Sequence, residues 1–163
     1  MSDFIRFLFA LAALLGVSSF AAADELHPFV RGSWQEIRAA HAGKAMVVHF
    51  WGLSCAPCRA EMPKWGKLVA ERRDLNLVLI HADLVPNKGR AVAATLAASG
   101  LARAENWIFQ DSFTDKLRFE VDPTWRGELP LTLLIARDGT TTMSEGIADL
   151  EKVRAWLDRQ NAQ

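Results

Sequence analysis

The stretch Ala45-Met46-Val47-Val48-His49-Phe50-Trp51-Gly52-Leu53-Ser54-Cys55-Ala56-Pro57-Cys58 decides how the chain is read. Its first half, Ala45 to Trp51, is short and mostly apolar, which suits a strand buried on both faces. Its second half is a turn that delivers two cysteines to the start of a helix, predicted over Arg59 to Arg73 with a kink at Pro63. Helix geometry gives this spacing its chemistry. Cys55 stands at the helix N-terminus, where free N–H groups and the positive dipole end stabilise a thiolate. Cys58 lies one turn along and can reach the same sulfur. One thiol attacks a partner disulfide and the second resolves the mixed disulfide. A static cross-link over so short a loop constrains almost nothing in the unfolded chain. A metal site needs further ligands, and four scattered histidines support it weakly.

Outward from this stretch, strands alternate with helices. On the N-terminal side, Asp24 to Arg31 reads as a lead-in loop. Ser33 caps a helix from Trp34 to His41, with Glu36 completing a capping box and Gly43 as the stop. On the C-terminal side, Leu75 to Ala82 is a second buried strand, and Asn87 to Ala98 is helical and Ala-rich. Asn106 to Gln110 is a short strand, and Ser112 to Phe119 a short helix. Leu131 to Ala136 is a third apolar strand. Asp138-Gly139 signals a tight turn, so Thr140 to Ser144 returns antiparallel. Asp149 caps a last helix through Gln160, with Leu150, Val153, Trp156 and Leu157 on one face. There is no repeat or low-complexity tract. This order gives one α/β domain of three layers, a central mixed sheet flanked by helices.

The chain has 163 residues, 50% of them hydrophobic and 23% charged, with 19 basic and 19 acidic side chains. That balance argues against disorder and leaves no basic excess for a nucleic acid. Two cysteines cannot build a multi-disulfide scaffold or a four-cysteine zinc site. Six Trp and nine Phe against no Tyr point to a core of large aromatics. At the N-terminus, Arg6 precedes the apolar run Phe7 to Val17, and Ala21-Ala22-Ala23 offers a small-x-small cleavage site. The run is short of the ~20 residues of a spanning helix. Residues 1–23 are therefore read as a cleaved signal peptide and residues 24–163 as the domain. An uncleaved segment would instead anchor the chain to the membrane. The domain thus matures outside the reducing cytosol, in the periplasm, where paired thiols can be oxidised.

Two segments carry a family resemblance. Phe50-Trp51-Gly52-Leu53-Ser54-Cys55-Ala56-Pro57-Cys58-Arg59-Ala60-Glu61-Met62-Pro63 resembles the active-site segment of thioredoxin-fold proteins. Its Glu61-x-Pro63 ending is similar to the TlpA/ResA/CcmG branch of extracytoplasmic thiol–disulfide oxidoreductases. The segment Val121 to Ile135, followed by Asp138-Gly139, agrees with the same family. The resemblance covers roughly Ser33 to Leu157 and implies the thioredoxin fold. The long interval between Cys58 and Pro130 leaves room for the added elements of this branch, expected within Pro86 to Trp125. It also implies that Pro130 is cis and faces the cysteines. Physically, X–Pro is the one bond for which cis is cheap, and Pro presents no N–H. Leu129 before it can then offer backbone groups to an extended partner peptide. The bland reading has Pro130 merely opening a strand edge.

The remaining site residues follow from the same comparison. Thioredoxins proper carry a buried Asp where this chain has His49, and imidazole can move protons for the inner cysteine in its place. The alternative is a core histidine bonded to a backbone carbonyl. Glu61 lies one turn beyond Cys58 and matches the active-site acid of the ResA-like proteins; otherwise it is a solvated helix residue. Trp51 and Trp125 are expected to wall the site, with Ala56, Pro57 and Leu129 also facing the partner. Trp65, Trp107 and Trp156 read as plain core or surface aromatics.

Ala56-Pro57 supplies Cys55 with neither charge nor side-chain donor, unlike the His-bearing dipeptide of the DsbA-like oxidants. The couple is thus expected to be reducing. No cofactor and no metal are called for. The expected partners are protein thiols and disulfides, with a membrane-bound thiol donor upstream and the chain acting as a monomer. Candidate clients are apocytochrome c haem-site cysteines and the copper-site cysteines of an oxidase assembly factor. Two other classes remain open: a Cu(I) metallochaperone using Cys55 and Cys58 as soft ligands, and a thiol oxidase or isomerase.

Overall fold

A computed structural model describes residues 26–83 and 88–162. The signal peptide expected at residues 1–23 lies outside the described residues. The fold grows from a run in which every residue is buried, β2 (Met46–Trp51). Its alternating side chains point to opposite faces of the sheet. Met46, Val48 and Phe50 join one core, while Val47 and Trp51 join the other. The second fully buried run, β3 (Leu77–His81), pairs parallel with β2. Its far side takes β4 (Glu105–Phe109), also parallel. On the other side of β2, β5 (Leu131–Ile135) runs antiparallel and continues through the Asp138-Gly139 turn into β6 (Thr141–Glu145).

The lead-in segment differs from expectation. Leu26–Phe29 is an edge strand, β1, which pairs parallel with β4 and closes a six-stranded sheet of order β1-β4-β3-β2-β5-β6. Four residues interrupted by Pro28 carry little strand signal, and an edge position is where a sheet tolerates proline. The first helix, α1 (Ser33–Ala40), begins one residue earlier than expected. Gly32 at its N-cap takes φ 90, and no side chain caps the helix. Ser33 Oγ instead accepts from Val30 N–H at 3.0 Å, so the expected capping box does not form.

Helix α1 and α4 (Thr114–Val121) send Trp34, Ile37 and Leu117 into one core, with Phe50 and Trp125. The opposite core holds Cys58, Met62, Trp65 and Leu68 of α2 (Ala56–Glu71). Val92 and Leu96 of α3 (Gly89–Ala98) join it, with Val153, Trp156 and Leu157 of α5 (Leu150–Asn161). Asp149 caps α5 as expected, accepting from Lys152 N–H at 3.2 Å. Helix α2 runs unbroken through Pro63, which is exposed. A Cβ on Gly66 would stand 1.7 Å from the Ser99 carbonyl oxygen, so α2 and the end of α3 meet without an intervening side chain. The result is the three-layer α/β/α arrangement expected, and the interval between Cys58 and Pro130 contributes α3, β4 and α4.

Candidate active site

Strand β2 ends at Trp51, and the turn Gly52–Ser54 hands the chain to α2. Cys55 is the N-cap of α2, with Pro57 in its first turn. The Cys55 sulfur accepts from Cys58 N–H at 3.2 Å, and the two cysteines are joined as a disulfide. Cys58 is fully buried, whereas Cys55 is partly exposed and Ala56, Pro57 and Arg59 are exposed. Only the first sulfur is therefore open to a large partner. The Leu129–Pro130 peptide bond is cis. Leu129 lies against the same turn, since a Cβ on Gly52 would meet Leu129 Cδ1 at 3.2 Å. Pro130 is buried, and its carbonyl accepts from Gly146 N–H at 2.8 Å.

His49 and Glu61 were singled out separately in the sequence, and the structure brings them together. His49 is on the β2 face that packs against α2, and Glu61 is one turn along α2 from Cys58. Burial is 0% exposed for His49 and 2% for Glu61, so Glu61 is not a solvated helix residue. His49 Nε2 stands 3.1 Å from Glu61 Oε1, close enough to pair but out of line for a hydrogen bond. The other carboxylate oxygen accepts from Ala148 N–H at 2.9 Å, which ties α2 to the loop before α5. His49 Nδ1 bonds Thr132 Oγ1 at 3.0 Å, its direct cross-strand neighbour on β5. A proton on Nε2 would leave Nδ1 to accept from the threonine hydroxyl. Trp65, expected as a plain core or surface aromatic, packs on this imidazole at a tilt, with ring centroids 4.9 Å apart. Its buried Nε1–H has no hydrogen-bond partner among the described residues.

The two tryptophans expected to wall the site are core residues. Trp51 is fully buried and meets His81 edge-on, at 5.1 Å between centroids. Trp125 is 4% exposed, packs on Phe50 at 4.7 Å and donates from its indole to the Glu128 carbonyl at 3.0 Å. Both residues sit on strand or loop positions whose side chains turn inward, Trp51 in the core that holds Cys58 and Trp125 in the core on the other face of the sheet.

Sequence reasoning missed His81 and Asp83. Parallel pairing sets Trp51 opposite His81, so the end of β3 lies beside the cysteine turn. Leu53 N–H points to His81 Nε2 at 3.4 Å, and Ser54 N–H donates to Asp83 Oδ2 at 2.8 Å. The Ser54 hydroxyl donates to the other Asp83 oxygen. Burial pushes the His81 imidazole down to about 4 against the opposing pull of Asp83, so the ring is neutral and able to accept. Burial alone would raise the Asp83 carboxyl, but the two Ser54 hydrogen bonds, with the Lys88 charge, hold it below its ordinary value. The available signal was a His-x-Asp run directly after a buried strand that adjoins the strand leading into the cysteines.

Among the described residues no cluster of three or more His, Cys, Asp or Glu could hold a metal ion, and no helix is long and apolar enough to cross a membrane.

No family model matches the chain, and no curated protein matches it in sequence. Solved structures do resemble it. A thioredoxin-related protein from Neisseria meningitidis serogroup B aligns with TM-score 0.63 and 18% identity, over 85% of this chain and 100% of that one. A secreted Mycobacterium tuberculosis disulfide oxidoreductase homologous to E. coli DsbE gives TM-score 0.59 and 19% identity, over 74% and 85%. StoA from Bacillus subtilis gives 0.54 and 21%, over 71% and 83%. At these identities the likeness is one of fold, and the chain has the thioredoxin fold.

Proposed function

We propose that the chain is an extracytoplasmic thiol–disulfide oxidoreductase of the TlpA/ResA/CcmG kind, working as a reductant of client disulfides. The observation that carries this reading is the asymmetry of the cysteine pair: Cys55 is partly exposed at a helix N-terminus and Cys58 is fully buried behind it. In the reduced chain, the Cys55 thiolate attacks one sulfur of a client disulfide. A mixed disulfide forms and the client's other sulfur leaves as a thiolate, which takes up a proton. Cys58 then gives up its proton and attacks Cys55, the client leaves as a dithiol, and the chain is left with the Cys55–Cys58 disulfide. A membrane-bound thiol donor restores the dithiol.

In this reading His49 and Glu61 take the Cys58 proton, which their shared burial and the place of Glu61 one turn along α2 from Cys58 support. Leu129 borders the turn and, joined to Pro130 by the cis bond, offers its backbone to an extended client segment, with Ala56 and Pro57 exposed beside Cys55. Haem-site cysteines of an apocytochrome c and copper-site cysteines of an oxidase assembly factor are the client classes, reached after residues 1–23 direct export.

The test is a trap. The Cys58→Ala chain cannot resolve, so it should accumulate mixed disulfides through Cys55 when offered a protein disulfide, while wild type releases the client reduced. Failure of the wild-type dithiol to reduce any protein disulfide would end the reading.

A further inference from the structure

Two side chains at the end of β3 hold the turn that carries Cys55, and neither takes part in the chemistry above. Leu53 and Ser54, the two residues before Cys55, direct consecutive N–H groups at His81 and Asp83. The Asp83 carboxylate also receives the Ser54 hydroxyl. A Cβ on Gly52 would meet Asp83 Cγ at 3.1 Å, so the carboxylate lies flat against the turn's backbone. Its side chain is 8% exposed, which limits the solvent screening of its charge at the turn.

We propose that Asp83 is a positioning residue that fixes the Cys55 turn and, through a buried negative charge hydrogen-bonded to the residue before the nucleophile, disfavours the Cys55 thiolate and keeps the couple reducing. The inference rests on the oxidoreductase reading. It gives a cause on this chain for a reducing poise that the Ala56-Pro57 dipeptide only permits. A carboxylate beside a sulfur disfavours the thiolate, and a less stable thiolate makes the dithiol a stronger reductant. The titratable groups facing Asp83 are Lys88 ahead of α3 and His81 on β3, and of these only Lys88 is charged in this setting. Arg59, in the first turn of α2, is exposed and screened.

The experiment follows alkylation of Cys55 by iodoacetamide against pH in the full chain, with Cys58→Ala as the background so that one thiol reports. Asp83→Asn keeps the shape, since the amide oxygen can accept from Ser54 N–H and the amide nitrogen can donate to its hydroxyl. Its alkylation midpoint should fall by about one pH unit. Ser54→Ala removes the donor that neutralises the carboxylate and should move the midpoint the other way, by a few tenths of a unit. Opposite signs are what a packing role would not produce. Unchanged midpoints, or two shifts of the same sign, overturn the proposal. Should Asp83→Asn fail to fold, Ser54→Ala decides alone: an upward shift sustains the proposal, and no shift or a downward one overturns it. Alkylation needs no protein client, so a chain that reduces no disulfide would end the oxidoreductase reading and still leave this titration decisive.

Discussion

His49 Nε2 and Glu61 Oε1 stand 3.1 Å apart across the interface of β2 and α2, both shut away from water, with Glu61 one helical turn from Cys58. Burying two such groups is costly unless they serve each other or a reaction. In the proposed function, proton transfer at Cys58 is that reaction. His49→Ala should slow resolution of the mixed disulfide on the order of a hundredfold while leaving the attack by Cys55 nearly intact. It should also destabilise the fold by about 3 kcal/mol, because Glu61 is left buried without its partner. Stopped-flow turnover separates the two steps; equal resolution rates in wild type and variant would make His49 a packing residue.

The exposure difference between the two sulfurs predicts which one is nucleophilic. Brief alkylation of the reduced chain should label Cys55 at least about tenfold faster than Cys58. Peptide mapping reads the ratio directly. Preferential labelling of Cys58 would reverse the assignment of attacker and resolver.

Gly66 offers a test of the packing that holds α2 in place. A methyl group there would strike the Ser99 carbonyl oxygen at 1.7 Å, and backbone cannot rotate away as a side chain can. Gly66→Ala should cost about 3 kcal/mol in denaturant unfolding. Gly89, whose built Cβ meets nothing within 4 Å among the described residues, should accept Ala at no loss. Similar costs at the two positions would mean that the α2–α3 contact yields easily.

What the sequence showed, and what it hid, follows from the range of each interaction. The strand, turn and first helix around Cys55 and Cys58 were legible because burial, periodicity and helix-end chemistry are local. The cis bond at Pro130 was legible through a resemblance, since nothing in its own neighbourhood distinguishes it from a proline at a strand edge. His49 and Glu61 could each be suspected, but their partnership depends on β2 facing α2, which is tertiary. His81 and Asp83 passed unnoticed because the register that lays β3 beside β2 brings them to the cysteine turn from a distant segment. The edge strand Leu26–Phe29 was hidden for a different reason: four residues with a proline carry almost no pattern, and only β4 makes them a strand.

A reducing couple is expected from the dipeptide between the cysteines. Ala56 and Pro57 are exposed and bring no charge to Cys55. Equilibration against a dithiothreitol ladder should place the potential near about −250 mV. Pro57→His should move it toward the oxidising end, where the DsbA-like couples lie at about −120 mV, by stabilising the reduced thiolate. A wild-type value at that oxidising end would contradict the reductant reading and point to the helix N-terminus and Arg59 as stronger thiolate stabilisers than their exposure suggests.

The neutral, buried His81 predicts a specific acid sensitivity. Its imidazole is pushed down from an ordinary 6.5 to about 4 by burial, while its opposing partner Asp83 recovers only part of that. The unfolded chain therefore takes up a proton at this histidine before the folded chain does. Stability is full above about 6.5, falls as pH drops toward about 4, and levels off once both states are protonated, for a total loss of about 3 kcal/mol. Asp83 works in a lower window, since a carboxyl held below its ordinary value loses its contribution only as pH falls below about 4. Protonation also removes the acceptor that receives Leu53 N–H and turns the ring toward pairing with Asp83, 3.8 Å away, at the expense of Ser54. His81→Asn keeps an acceptor and does not titrate. Urea unfolding at pH 7 and pH 4.5 should show a smaller difference in the variant than in wild type, by about 2 kcal/mol. The same pH dependence in both proteins would assign the acid sensitivity to other groups.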